Sequence, residues 1–146
     1  MLVREAAAAD LEQMLILYTN LHHNPLPQVD SKIAGLWQEI IEDPRHHLLI
    51  GEEEGRVVSS CVLVIVANLT HNQQPYALIE NVITHPAHRN KGYASQILAH
   101  AKKIVIANNC YKIMLMTGSK NDATLSFYEH AGYNRTDKTA FIQWLT

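Results

Sequence analysis

Hydrophobic and polar residues alternate with two different periods along this chain, and the changes of period mark its elements. Leu2–Glu5 reads as a short first strand. Leu11, Met14, Leu15, Tyr18 and Leu21 then keep one helical face, with Asp10 placed to cap the helix they form. His22, His23, Asn24, Pro25, Leu26 and Pro27 break it, because two nearby prolines forbid its continuation. Ser31 is placed to cap a second helix carrying Ile33, Leu36, Trp37, Ile40 and Ile41, which stops before Pro44. Residues 47–52 alternate, turn at Glu54-Gly55, and run back over residues 57–69, the pattern of a hairpin. A fourth strand, Tyr76–Thr84, ends at His85-Pro86. Helical spacing returns at Ile97, Leu98, Ala101, Ile104 and Val105, followed by a fifth strand over residues 112–117 and a helix from about Ala123 to His130. Gly132 closes that helix, and a last strand or strand pair is expected over residues 133–145. The order β-α-α-β-β-β-α-β-α-β predicts an α/β fold on a mixed sheet, with hairpins early and crossovers late.

Composition narrows the class. The chain has 146 residues, 47% of them hydrophobic and 18% charged, which fits one soluble domain over residues 1–146 and excludes disorder as the default. No repeat, low-complexity tract or linker interrupts it. Cys61 and Cys110 lie in apolar surroundings with no second-cysteine spacing, so free thiols of a reducing cytosol fit better than a disulfide or zinc site. The start carries no basic-then-apolar leader, and the longest apolar stretch, residues 61–67, is far short of the ~20 residues a membrane span needs. A cytoplasmic protein with no membrane partner is the expectation.

The net charge of −2 does not suggest a nucleic-acid partner, but its distribution changes the picture. Residues 81–121 hold six basic side chains, Arg89, Lys91, Lys102, Lys103, Lys112 and Lys120, and no Asp or Glu. Such an asymmetry points to a local anionic partner. Inside this window the fourth strand feeds its helix through His85-Pro86-Ala87-His88-Arg89-Asn90-Lys91-Gly92-Tyr93-Ala94. A turn of this kind leaves several helix-start N–H groups unpaired and aimed at one point. The helix dipole and the flanking Arg89 and Lys91 add positive potential, which makes a pyrophosphate cradle. Gly92 keeps a Cβ out of the way of the oxygen atoms.

Arg89, Gly92 and Ala94 in this context, followed by Asn121, Thr124, Tyr128, Gly132 and Tyr133, resemble the GNAT superfamily of acyl-CoA-dependent N-acyltransferases over nearly the whole chain. Ile79-Glu80-Asn81-Val82, Cys110-Tyr111-Lys112-Ile113 and Phe127-Tyr128-Glu129 are locally similar to the glucosamine-6-phosphate N-acetyltransferases of that superfamily. Met116 and Asn81 stand where that branch has acidic residues.

The resemblance implies a sheet splayed at its centre, acetyl-CoA as co-substrate, an amine acceptor, and a homodimer as a common assembly. It assigns backbone groups of Val82, Ile83 and Thr84 to the acetyl group and pantetheine arm. The pyrophosphate falls to Arg89, Asn90, Lys91, Gly92, Tyr93, Ala94 and Ser95, the arm to Asn121, and the neighbourhood of the sulfur to Tyr128. An alkylamine near pKa ~10.4 must lose a proton before it attacks, and Glu80, the one carboxylate on the fourth strand, is the candidate base. The N–H of Val82 is the candidate oxyanion donor, and Tyr128 the acid for the departing thiolate.

Other classes keep distinct signatures. A non-catalytic acyl-CoA-binding module would use the same cradle and leave Glu80 and Tyr128 idle. A nucleic-acid-binding domain would use the basic window and lose affinity steeply with salt. A dinucleotide enzyme lacks its glycine fingerprint here. The nine histidines include the adjacent pairs His22-His23 and His46-His47 but no H-E-x-x-H, which argues against a metal. His22 and His23 fall in the loop that lines the acceptor site in the superfamily, and Trp37 and Trp144 read as core or dimer contacts.

Overall fold

The computed structural model describes all of residues 1–146. The elements are β1 (Leu2–Glu5), α1 (Leu11–Tyr18), α2 (Ser31–Glu42), β2 (His46–Glu53), β3 (Arg56–Val66), β4 (Tyr76–Thr84), α3 (Tyr93–Ala107), β5 (Ile113–Leu115) and α4 (Asp122–His130). The five strands form one mixed sheet in chain order, antiparallel from β1 to β4 and parallel between β4 and β5. The α/β class and the element order agree with the sequence pattern as far as α4. The expected last strand does not form: no residue beyond His130 is in a strand, and Phe141, Ile142, Trp144 and Leu145 are strongly exposed. A strand without a ladder partner leaves its backbone groups unpaired, so the apolar residues near the end of the chain could not by themselves fix one there. Packing divides the chain into residues 1–115 and 116–146.

In the first unit, alternation along the strands sorts two cores. Leu48, Ile50 and Val62 join Met14 and Leu17 of α1 and Trp37 of α2 in one cluster. Leu49, Cys61, Leu63, Ala77 and Ile79 point the other way and are fully buried, as are Ile97 and Ala101 of α3, the helix packed on β2, β3 and β4. Trp37 is a core residue, its indole N–H donating to the Ala8 carbonyl at 3.2 Å. Burial pushes the Cys61 thiol up to about 12, which keeps it an unreactive thiol. Cys110 is only half-buried.

Both helix caps differ from expectation. Asp10 precedes α1 but its side chain does not cap it; the carboxylate accepts from the Ala7 N–H at 2.7 Å and from both terminal nitrogens of Arg4 at 2.7 and 2.9 Å. Asp30, not Ser31, caps α2 by accepting from the Ile33 N–H at 2.9 Å. Either residue type can cap, and the extended backbone at Asp30 decided between them.

Candidate active site

The β3–β4 ladder is regular from Val66–Tyr76 to Val62–Glu80 and resumes at Ser60–Ile83 and Ser59–Thr84. Cys61 therefore faces two residues, Asn81 and Val82, and Asn81 sits in the left-handed region with φ 52°. This β-bulge resets the alternation, so that Glu80 and Ile83 share one face although an odd number of positions separates them. Asparagine is among the few residues that take this conformation at modest cost. Beneath the bulge, burial pushes the Tyr18 phenol up to about 12, partly offset by the side chains of Ser60 and Asn81 that its hydroxyl meets. On the other edge, the β4–β5 ladder consists of Ala77–Ile113, Leu78–Met114 and Ile79–Leu115, so β4 from Glu80 onward has no β5 partner.

The carboxylate of Glu80 is exposed on the α1 side of the sheet and takes no hydrogen bond or ion pair within the chain. Val82 lies in the bulge. The Ile83 carbonyl accepts from the Ser59 hydroxyl at 3.1 Å, and the Ile83 side chain is buried in the α1–α2 core. The Thr84 hydroxyl meets that of Ser59 at 2.9 Å, and the Thr84 carbonyl accepts from Nε of Arg89 at 3.1 Å. Arg89 is thus fixed to the end of β4, with its terminal nitrogens left over for a ligand.

Beyond Arg89 the chain turns through two left-handed residues, Asn90 with φ 61° and Gly92 with φ 76°. The N–H groups of Asn90, Lys91, Gly92, Tyr93, Ala94 and Ser95 donate to no acceptor in the chain. Six consecutive free donors at the start of a fifteen-residue helix are an arrangement that can receive an anion. A Cβ built at Gly92 would meet nothing within 4 Å, so glycine serves the left-handed turn there, and the space before it is open to a ligand. These residues fit a pyrophosphate.

A residue from elsewhere in the sequence holds this turn. Glu53, the last residue of β2, accepts from the Tyr93 hydroxyl and from Nδ1 of His88 at 2.8 Å, with Nζ of Lys91 at 4.0 Å. The Tyr93 hydrogen bond holds the Glu53 carboxyl below the usual range, and Glu53 in turn raises the Tyr93 phenol. The window without carboxylates in sequence therefore acquires one in space, held by two hydrogen-bond donors and faced by the Lys91 ammonium. Nothing in the local sequence signals Glu53, which lies 40 residues from Tyr93. Asn81 did carry a signal, as an asparagine inside a strand pattern.

Asn121 and Tyr128 belong to residues 116–146. Asn121 caps α4, its side-chain oxygen accepting from the Ala123 N–H at 2.8 Å. The half-buried Tyr128 ring packs edge-on against Phe127 at 5.0 Å and Tyr133 at 6.2 Å. His22 and His23 are exposed and left-handed, each with φ 54°. No group of three or more His, Cys, Asp or Glu is arranged to hold a metal ion, and no helix is long and apolar enough to cross a membrane.

A mixed sheet bulged at β4 and followed by a helix start with free N–H groups is suited to receive an anionic ligand. The family model described as acetyltransferase (GNAT) family matches residues 10–133, and the chain belongs to that family. It is similar over 99% of its length, at 32% identity and a TM-score of 0.91, to a whole solved chain from Agrobacterium tumefaciens provisionally named an acetyltransferase. The fold, at 18% identity and a TM-score of 0.87, is shared with glucosamine-6-phosphate N-acetyltransferase from Arabidopsis thaliana, over 99% of this chain and 98% of that one. A curated relative, acetyltransferase SG1711 of Sodalis glossinidius, is 36% identical over 58 residues, a match spanning 40% of this chain and 41% of the relative.

Proposed function

We propose that the protein is an acetyl-CoA-dependent N-acetyltransferase that moves the acetyl group directly onto a primary amine. The observation that carries this is the run of six unbonded N–H groups from Asn90 to Ser95, directly after a bulged β4, in a chain of the acetyltransferase family. Those donors and Arg89 bind the pyrophosphate, and the bulge at Asn81-Val82 presents the Val82 N–H to the thioester oxygen. Glu80, unpaired and exposed beside the bulge, takes the proton that the ammonium must lose. The neutral amine nitrogen bonds to the carbonyl carbon and gives up its second proton to solvent, the carbon–sulfur bond breaks as the tetrahedral oxyanion collapses to the amide, and the thiolate leaves with a proton. The Tyr128 phenol supplies that proton as general acid and recovers one from solvent. Asn121 contributes to holding the pantetheine arm through the amide nitrogen that its capping role leaves over.

The test combines calorimetry of coenzyme A binding with detection of free thiol from acetyl-CoA and an amine panel. Coenzyme A should bind the wild type and Glu80→Gln alike, while Glu80→Gln lowers kcat by about 10²-fold or more. Binding without amine-dependent thiol release would identify an acyl-CoA-binding module instead, and absence of binding would remove the proposal.

A further inference from the structure

We infer that the acceptor amine is joined through an apolar chain to an aromatic ring and lies along the exposed face of β4; this rests on the acetyl-transfer reading of Glu80. Tyr76, Leu78 and Glu80 alternate onto one face of β4, opposite Val66, Val64 and Val62 of β3 in an unbroken register. Val62 is covered by the α1–α2 core, yet Leu78 is 37% exposed and Glu80 is exposed beside it. This leaves a strip running from a carboxylate to a cluster of rings. At its far end the Tyr76 ring meets Tyr111 edge-on at 6.4 Å, and Tyr111 stacks on His71 at 3.9 Å and 10°. Nζ of Lys112 lies 5.2 Å from both tyrosine ring centres.

The ring cluster is held by unusual backbone. His71, Asn72 and Gln73 are three consecutive left-handed residues, with φ of 51°, 57° and 59°, and none is glycine. Such a turn persists only where its surroundings over-determine it. Nδ2 of Asn68 donates to the carbonyls of Thr70 and Gln74 at 3.1 Å each, and the Tyr111 N–H donates to the Pro75 carbonyl at 3.0 Å. From Tyr76 to Glu80 the strand rises about 13 Å at ~3.3 Å per residue.

The chemistry of the strip selects its occupant. Glu80 complements an ammonium. Between it and the rings the strip presents Leu78, so the hydroxyls of a sugar would be desolvated there without partners. The Lys112 ammonium repels the second cation of a polyamine, and the tyrosine rings accept an aromatic edge.

Thiol release is measured with 4-phenylbutylamine, spermidine and glucosamine 6-phosphate as acceptors, beside calorimetry with coenzyme A. The expected result is a kcat/KM for 4-phenylbutylamine at least ~10-fold above the other two. Leu78→Asp, a change at an exposed position, should raise KM for 4-phenylbutylamine at least ~10-fold and leave coenzyme A affinity unchanged. Preference for the sugar phosphate or spermidine, or an unmoved KM in Leu78→Asp, overturns this inference while acetyl transfer stands. Absence of heat with coenzyme A overturns the acetyl-transfer reading and this inference with it.

Discussion

The Glu53 carboxylate at the end of β2 accepts the hydroxyl hydrogen of Tyr93, the first residue of α3, and so ties the start of the helix to the β2–β3 hairpin. Because Tyr93 also offers one of the six free N–H groups, the tie fixes where that N–H lies at the helix start. Glu53→Gln should weaken coenzyme A binding about 3–10-fold by calorimetry, since an amide is a weaker acceptor than a carboxylate. Glu53 is held below its ordinary value, so the tie is complete above the usual carboxylate range and lost only as pH falls through the lowered value. Tyr93 is raised, so the tie also holds below the ordinary phenol range and is lost as pH rises through the raised value. Tyr93→Phe should remove one late step from the tyrosine absorbance titration, leaving Tyr18 to titrate at about 12.

Asn81 holds the bulge in a left-handed conformation. Asn81→Gly should keep the bulge and most of the activity. Asn81→Val, a β-branched residue at positive φ, should destabilise the protein by about 1–3 kcal/mol in urea unfolding and depress turnover more than coenzyme A affinity.

Arg4 and the buried Asp10 form a two-pronged ion pair, with Glu52 also bound to Arg4 at 2.8 Å. Arg4 holds the Asp10 carboxyl below its ordinary value. Its contribution is therefore full above the unfolded carboxylate value near ~3.9 and is lost as pH falls through the lowered one. Asp10→Asn should cost about 2–3 kcal/mol at pH 7, and the deficit should shrink as wild type and variant are compared at falling pH.

Tyr128→Phe should lower turnover by about 10²-fold or more, with coenzyme A affinity nearly intact. An unchanged turnover number in stopped-time thiol assays would remove the acid role.

Much of the scaffold was legible in the chain. Tyr76–Thr84 and Leu2–Glu5 form with the bounds that their alternation predicts, and α3 buries Ile97, Leu98, Ala101 and Val105 as its spacing requires. Local signals sufficed there because period, turn residues and burial agree. The helix caps and the fate of the chain beyond His130 were not legible, since each depended on a choice among equivalent local signals or on a ladder partner that periodicity does not name.

Sequence by itself determined the order of elements and the turn of Arg89, Asn90 and Gly92, because a strand, a glycine and a helix start are local features. Only the tertiary structure decided that Glu53 anchors this turn, that the bulge puts Glu80 and Ile83 on one face, and that Tyr76, Tyr111 and His71 meet. Those relationships join residues far apart in the chain or depend on cross-strand register, and one added residue in a ladder reverses every side chain after it.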